Sequence, residues 1–364
     1  RRRWSADVNH WVIAPVLLPA VLAPLMLLFL RRQLMASRVL SLAGVMALLA
    51  LSSALLAQAD TGLIQSYALG DWPAPFGIIL VFDRLSALML VTTSLLALGV
   101  MSYAIATGMD RSGWHFHPLF QFQLLGLNGA FLTGDVFNLF VFFEVMLIAS
   151  YGLMLYGGGA ARLKAGVQYV VVNLVGSTLF LVAVGLIYGA TGTLNMAHLG
   201  LIVAQAPPGD HSLILAGGLL LIAVFGLKAA LVPLHFWLPR TYASTSAPVA
   251  ALFAIMTKVG AYCILRFTTV TFGEGAGPMA WAPAAWLLPA ALITLVLGFI
   301  GVLAARYLRQ LAAFSVVASM GTLLTTLAVF TPEAAAAALY YIPHTTLATA
   351  ALFLLTDAIA ARRG

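Results

Sequence analysis

Apolar residues arrive in long blocks along this chain, separated by a few polar or helix-breaking positions. A helix crossing the hydrocarbon core of a bilayer needs about 20 mainly apolar residues. Runs of that kind lie near 11–30, 39–57, 85–106, 118–133, 136–156, 167–189, 212–236, 247–268, 284–305, 311–330 and 334–360, so the pattern predicts about eleven transmembrane helices. The fourth and fifth come from one apolar stretch, 117–157, which is too long for a single span. It divides at Thr133-Gly134-Asp135, where glycine and aspartate suit a tight helical hairpin. The first run has the length of a span and no small-residue cleavage site before the next polar segment, so it does not read as a removable signal peptide. The polar segments 58–83 and 190–211 read as inter-helix loops. The expected class is an all-α polytopic membrane protein, with 1–364 forming a single membrane domain.

Composition excludes the alternatives. The 364 residues are 62% hydrophobic and 8% charged, whereas soluble domains carry roughly 25% charged residues. A cytosolic enzyme, a nucleic-acid-binding module and a disordered scaffold are all ruled out. The net charge of +7 contains no basic cluster longer than Arg1–Arg3 and fits the positive flanks of membrane spans. The single cysteine, Cys263, excludes a disulfide framework and a cysteine-ligated metal cluster.

Charge also predicts an orientation. With loops placed alternately on two sides, one side collects Arg31, Arg32, Arg38, Arg111, Arg162, Lys164, Arg240, Arg306, Arg309, Arg362 and Arg363. The other holds Arg1–Arg3, Arg84 and Arg266, with Asp7, Asp60, Asp71, Asp83, Asp135, Asp210, Glu274 and Glu333; only Asp110 and Asp357 fall with the basic set. By the positive-inside rule the basic side is cytoplasmic. The N-terminus is then outside and the C-terminus inside the cell membrane.

Of the 18 lysines and arginines and 11 acidic residues, this sorting leaves Glu144, Lys228 and Lys258, in the fifth, seventh and eighth runs. A charge at the bilayer centre costs at least about 2.5–3.5 kcal/mol and marks an ion or proton path by default. A purely structural Glu144–lysine pair leaves the second lysine without a carboxylate. Lysine suits proton handling, because a desolvated ammonium is readily switched by moving a carboxylate near it. Pro233, five residues after Lys228, removes a backbone hydrogen bond and predicts a kinked or broken seventh helix; interrupted helices recur in ion-coupled transporters. On a continuous helix His235 lies two turns from Lys228 on one face, so it joins the candidate relay. His344 after Pro343 is a similar case.

Other motifs carry less. His115-x-His117 lacks clustered carboxylates for a metal, and Gly157-Gly158-Gly159 lacks the Lys-Ser/Thr of a phosphate loop. Asn128, Asn138, Gln168, Asn173 and Ser177 fit either water wires or interhelical glue. No dinucleotide fingerprint or haem-ligating histidine pair is present, so no cofactor, metal or catalytic residue is assigned.

Three segments resemble a known family. They are Asp135-Val-Phe-Asn-Leu-Phe-Val-Phe-Phe-Glu144, Gly226-Leu-Lys228-Ala-Ala-Leu-Val-Pro233-Leu-His235-Phe-Trp-Leu-Pro239, and Ala247-Pro248 through Lys258-Val-Gly260. They resemble the antiporter-like subunits of the proton-translocating NADH:quinone oxidoreductase superfamily, most of all the D-type subunit of Mrp/Pha-type multisubunit monovalent cation/proton antiporters. The likeness extends from about Val8, which is a possible start site. It implies three leading helices (11–106), a five-helix repeat (118–268) and part of a second, inverted repeat (284–360). It also implies Glu144 paired with Lys228 of a broken seventh span, Lys258 as the central lysine, and His344 on the polar axis. The implied function is proton translocation against K⁺ or Na⁺ in the bilayer with partner subunits.

Family members have about fourteen spans, so the resemblance implies a C-terminally truncated member, or an inactive fragment. The alternative is a proton-pumping membrane subunit of an NADH:quinone oxidoreductase or membrane hydrogenase. The oxidoreductase subunits often carry a lysine one turn after the histidine matched by His344. Here the sequence reads His344-Thr-Thr-Leu-Ala-Thr-Ala, which favours the antiporter branch.

Overall fold

A computed structural model describes residues 10–363; the possible start at Val8, Asp7 and the Arg1–Arg3 cluster lie outside the described residues. Within them the chain forms thirteen α-helices and one β-hairpin. Helices α1 (Ala14–Phe29), α2 (Leu34–Ala59) and α3 (Arg84–Thr107) come first. The segment between α2 and α3, expected as a loop, contains β1 (Gln65–Ala68) paired antiparallel with β2 (Ile79–Phe82). Asp83 then caps α3: its carboxylate accepts from Ser86 N at 2.9 Å, and Ser86 Oγ accepts from Asp83 N at 2.9 Å.

Helices α4 (Phe116–Leu132) and α5 (Val136–Leu155) form the hairpin expected from the break at Thr133–Asp135. Asp135 caps α5 by accepting from Asn138 N at 2.7 Å. Next come α6 (Ala160–Thr191), α7 (Met196–Gln205) and α8 (His211–Lys228). Helix α7 lies in the second segment expected as a loop, where Asn195 caps it by accepting from His198 N at 3.1 Å. At about 1.5 Å per residue, its ten residues are far too short to cross a bilayer.

The remaining helices are α9 (Trp237–Ser244), α10 (Ala247–Thr271), α11 (Leu287–Ala304), α12 (Leu308–Leu327) and α13 (Pro332–Arg363). Among the described residues, nine helices are long and apolar enough to cross a membrane. Helix α10 is the axis of the molecule. It is buried along nearly its whole length and packs against α3, α4, α7, α8, α12 and α13.

The α4–α5–α6 segment and the α11–α12–α13 segment share one spacing. Shifting α5 and α6 by 172 residues lands on the bounds of α12 and α13, and α4 lands within a residue of α11. The packing follows the same shift. Gly126 and Gly129 of α4 let the backbone approach Met146 and Phe142 of α5, while Gly298 and Gly301 of α11 do the same for Ala318 and Phe314 of α12. Small residues at such contacts allow close helix approach where no hydrophobic effect drives association.

Candidate functional site

The site begins where α8 stops. The sequence predicts a helix running to 236 with a break around Pro233; the helix ends at Lys228, five residues earlier. Proline supplies no N–H and disfavours α geometry in the residue before it, so the chain leaves the helical path ahead of it. Ala230 takes a left-handed conformation (φ 55°). The carbonyls left open at this buried helix end are then bonded by other donors. Ala230 N bonds Leu227 O at 3.1 Å, Leu231 N bonds Gly226 O at 2.8 Å, and the Trp237 indole donates to Leu227 O at 3.1 Å. Val232 N reaches Thr294 Oγ1 of α11 at 2.9 Å.

Lys228, the last residue of α8, is 6% exposed. The partial negative charge of a helix C-terminus favours its ammonium. Nζ donates to Asn173 Oδ1 of α6 at 2.8 Å and lies 5.9 Å from the Phe143 ring centroid. Asn173 is oriented in turn by donating to Tyr169 O at 2.8 Å. One turn further along α6, Ser177 donates to the half-buried Glu144 carboxylate of α5. Glu144 and Lys228 therefore hold separate partners on one face of α6 and form no ion pair with each other among the described residues.

Lys258 is fully enclosed, 0% exposed, within α10, and its Nζ has no hydrogen-bond partner among the described residues. Gly260 explains why α10 passes so close to the end of α8: a Cβ there lies 2.6 Å from both Phe225 O and Ala229 N. The two lysines thus flank one backbone crossing. Among the described residues no carboxylate pairs with Lys258, and an unpaired buried charge is costly.

His235 does not share a helical face with Lys228, because no helix connects them. It sits in a single 3-10 turn, Leu234–Phe236, with Nδ1 unpaired among the described residues. It lines a cavity of about 950 Å3 together with Gln168, Arg240, Arg306, Arg309 and Thr356. His344 is exposed on α13 against Tyr341, with ring centroids 5.9 Å apart. Glu144 of α5 and Lys228 of α8 thus meet on α6, and Lys258 lies on α10 two residues from the crossing with α8; His235 lies in the turn beyond α8 and His344 on α13. Asn128 and Asn138 bond Pro15 O and Thr133 Oγ1, and Cys263 is a buried free thiol.

Charge sorting missed three pairs that it assigned to loop flanks. Arg38 grips Asp110 through two bonds of 2.6 and 2.7 Å, and His117 Nε2 adds a third at 3.1 Å. Arg266 holds Asp83 bidentately, and Arg309 holds Asp357 at 2.7 Å. The available signal was an isolated acid among cations, as at Asp110 and Asp357. Burial pushes the Asp110 carboxyl up, but bonds from Arg38 and His117 outweigh that and hold it below its ordinary value. Burial likewise opposes Arg266 and Ser86 at Asp83, and loses. No group of three or more His, Cys, Asp or Glu among the described residues is placed to hold a metal ion.

Residues 133–364 match the family described as NADH:quinone oxidoreductase/Mrp antiporter, TM. The chain belongs to this family. The match opens at the α4–α5 break and takes in Glu144, Lys228, His235, Lys258 and His344, whereas Arg38, Asp110 and His117 precede it. The chain is 46% identical over 357 residues to the probable K(+)/H(+) antiporter subunit of type D from Rhizobium meliloti (strain 1021), covering 97% of this chain and 66% of that protein. It is 38% identical over 359 residues to the Na(+)/H(+) antiporter subunit of the same type from Bacillus subtilis (strain 168), covering 98% of this chain and 71% of that protein. The chain spans about two thirds of the length of the curated relatives it matches. Among solved structures it resembles a chain of the Mrp complex from Dietzia sp. DQ12-45-1b, with TM-score 0.86 and 31% identity, covering 95% of this chain and 64% of that one. A chain of the archaeal membrane-bound sulfane sulfur reductase gives TM-score 0.87 at 26% identity, covering 94% and 69%.

Proposed function

We propose that this chain acts as a proton-translocating membrane subunit of a multisubunit monovalent cation/proton antiporter, exchanging K⁺ or Na⁺ for H⁺. The observation that carries the reading is the α6 face on which Asn173 holds Lys228 and Ser177 holds Glu144 one turn apart. A carboxylate near a buried ammonium favours its charged form, and withdrawing the carboxylate favours proton loss. Glu144 bonded to Ser177 is the withdrawn state. Swinging it across the turn of α6 toward Lys228 stabilises the ammonium. Returning it releases a proton in the direction of Lys258, the buried lysine beyond the α8–α10 crossing, which takes it up and passes it on. The interruption after Lys228 puts its side chain at the end of a helix, on the face of α6 that also holds Glu144 through Ser177.

Eleven spans are the reading for the whole chain: α1 to α6, a broken seventh formed by α8 and α9, then α10 to α13. The constant 172-residue shift supports taking 118–268 and 284–360 as one complete and one partial repeat after the leading helices of 11–106. Arg240, Arg306 and Arg309 around the cavity at His235 support a cytoplasmic mouth there, with the N-terminus outside. The partners are the other subunits of the antiporter. The relatives named as K(+)/H(+) and Na(+)/H(+) antiporter subunits support this over a role in an NADH:quinone oxidoreductase.

The test is cation/proton exchange in everted vesicles carrying the whole complex. Glu144→Ala and Lys228→Ala are each expected to abolish exchange while the complex still assembles. Wild-type exchange from either variant sinks the proposal.

A further inference from the structure

Two arginines lie over one tryptophan where the α1–α2 and α3–α4 turns meet, and a third shares their cavity. The Cζ atoms of Arg31 and Arg32 lie 5.5 and 5.6 Å from the centroid of the Trp114 ring, and Arg111 lines the same cavity of about 360 Å3. All three arginines and Trp114 are exposed, and none of the three forms an ion pair among the described residues. Asp110, the acid next to Arg111, is unavailable. It is 0% exposed and committed to Arg38 and His117. His117, 2% exposed, also lines this cavity, and its Nδ1 has no partner among the described residues. Guanidinium groups drawn to one ring repel each other unless an anion lies among them.

Beyond Trp114 the surroundings change character. A second cavity, about 370 Å3, shares Gly113 and Trp114 with the first, and Leu27, Pro118, Leu119 and Phe122 form its apolar wall. A soluble phosphate needs only the cationic half. A phosphodiester carrying an acyl chain uses both halves, with tryptophan at the boundary where amphipathic rings settle. Basic pockets between membrane helices bind anionic lipid head groups in this way. We propose that this pair of cavities is a binding site for an anionic phospholipid. Its phosphate sits among Arg31, Arg32 and Arg111, and one acyl chain lies along Leu27, Leu119 and Phe122.

The experiment compares retention of phosphatidylglycerol and phosphatidylcholine with identical acyl chains by purified protein, read by native mass spectrometry. The wild-type protein is expected to retain phosphatidylglycerol at least about tenfold better. Each arginine contributes about a fivefold preference near a membrane surface, so Arg31→Gln/Arg32→Gln/Arg111→Gln is expected to abolish the preference, while Arg362→Gln, exposed near the far end of the chain, leaves it intact. The single variant Arg32→Gln, with an expected loss of about fivefold, carries the test if the triple variant is not monodisperse. Equal retention of the two lipids, or an undiminished preference in the arginine variants, overturns the proposal. Glycerol 3-phosphate displacing the lipid at equal concentration also overturns it, by showing a soluble-phosphate site.

Discussion

At the scale of single residues, Asn173 is the least conspicuous member of the cluster and the most constrained. Its amide spans two jobs, accepting from Lys228 and donating to Tyr169 O. A hydrogen bond to a charged group is worth about 1.5–3 kcal/mol, and each 1.4 kcal/mol is about tenfold in rate. Asn173→Leu, close in size but apolar, is therefore expected to lower exchange in vesicles about 10- to 100-fold. Ser177→Ala tests the other end of the switch, since it frees Glu144 from its resting partner. Biased toward Lys228, the relay is expected to show a shifted pH optimum for exchange along with a lower rate. The Asp83 latch makes a stability prediction. Its carboxyl is held below the ordinary value of about 3.9, so the contribution is present in full above that value and is lost as pH falls through the lower, folded one. Asp83→Asn is expected to cost about 1.5–3 kcal/mol at neutral pH. Thermal unfolding in detergent checks this, and the gap between variant and wild type is expected to start narrowing below about pH 3.9 and to close below the lower, folded value.

Among the elements, the crossing of α10 over the end of α8 is the joint on which the site depends. Gly260 meets backbone atoms of Phe225 and Ala229, which cannot rotate away as a side chain can. Gly260→Ala is expected to destabilise the protein by about 1–3 kcal/mol and to lower exchange, read by thermal unfolding and vesicle assay on the same preparation. Most of the membrane helices were legible in the sequence, because apolar blocks of span length have few alternatives. So were Glu144, Lys228 and Lys258, since each carries an evident desolvation cost. What was not legible depended on contacts between distant segments. Pro233 signalled a break, but its location at Lys228 follows from donors on Trp237 and Val232 that tie down the freed backbone. Helix α7 is too short to stand out as a span, and its capping residue, Asn195, was hidden in a polar segment. Arg38 and Asp110 look like flanks because neither shows in sequence that the other is buried beside it. The 172-residue shift gives Tyr169 a counterpart in Tyr341 and Asn173 one in Thr345, but places Val316 at the position of Glu144.

For the molecule as a whole, loop contacts divide the chain into two faces. On one, Arg31 and Arg32 meet Trp114, Tyr156 donates to Asp110 O and Gly113 O, Arg162 reaches Ser244 O, and Arg309 pairs with Asp357. On the other, Gly134 N bonds Ile79 O, Met196 N bonds Gly134 O, Arg84 reaches Asp60 O, and Arg266 holds Asp83. The first face carries the excess of arginine, and the proposed orientation puts it at the cytoplasm. The native thiol, Cys263, is 1% exposed, so a membrane-impermeant maleimide reports engineered cysteines with little background. Ser66 in β1 and Ser112 before α4 are both exposed and lie on opposite faces. Ser66→Cys is expected to react in intact cells, and Ser112→Cys only after the membrane is permeabilised. The reverse pattern overturns the orientation while leaving the helix count intact. Reaction of both in intact cells has a different consequence: α3, which separates the two positions, then does not cross the bilayer, and the eleven-span reading fails with it.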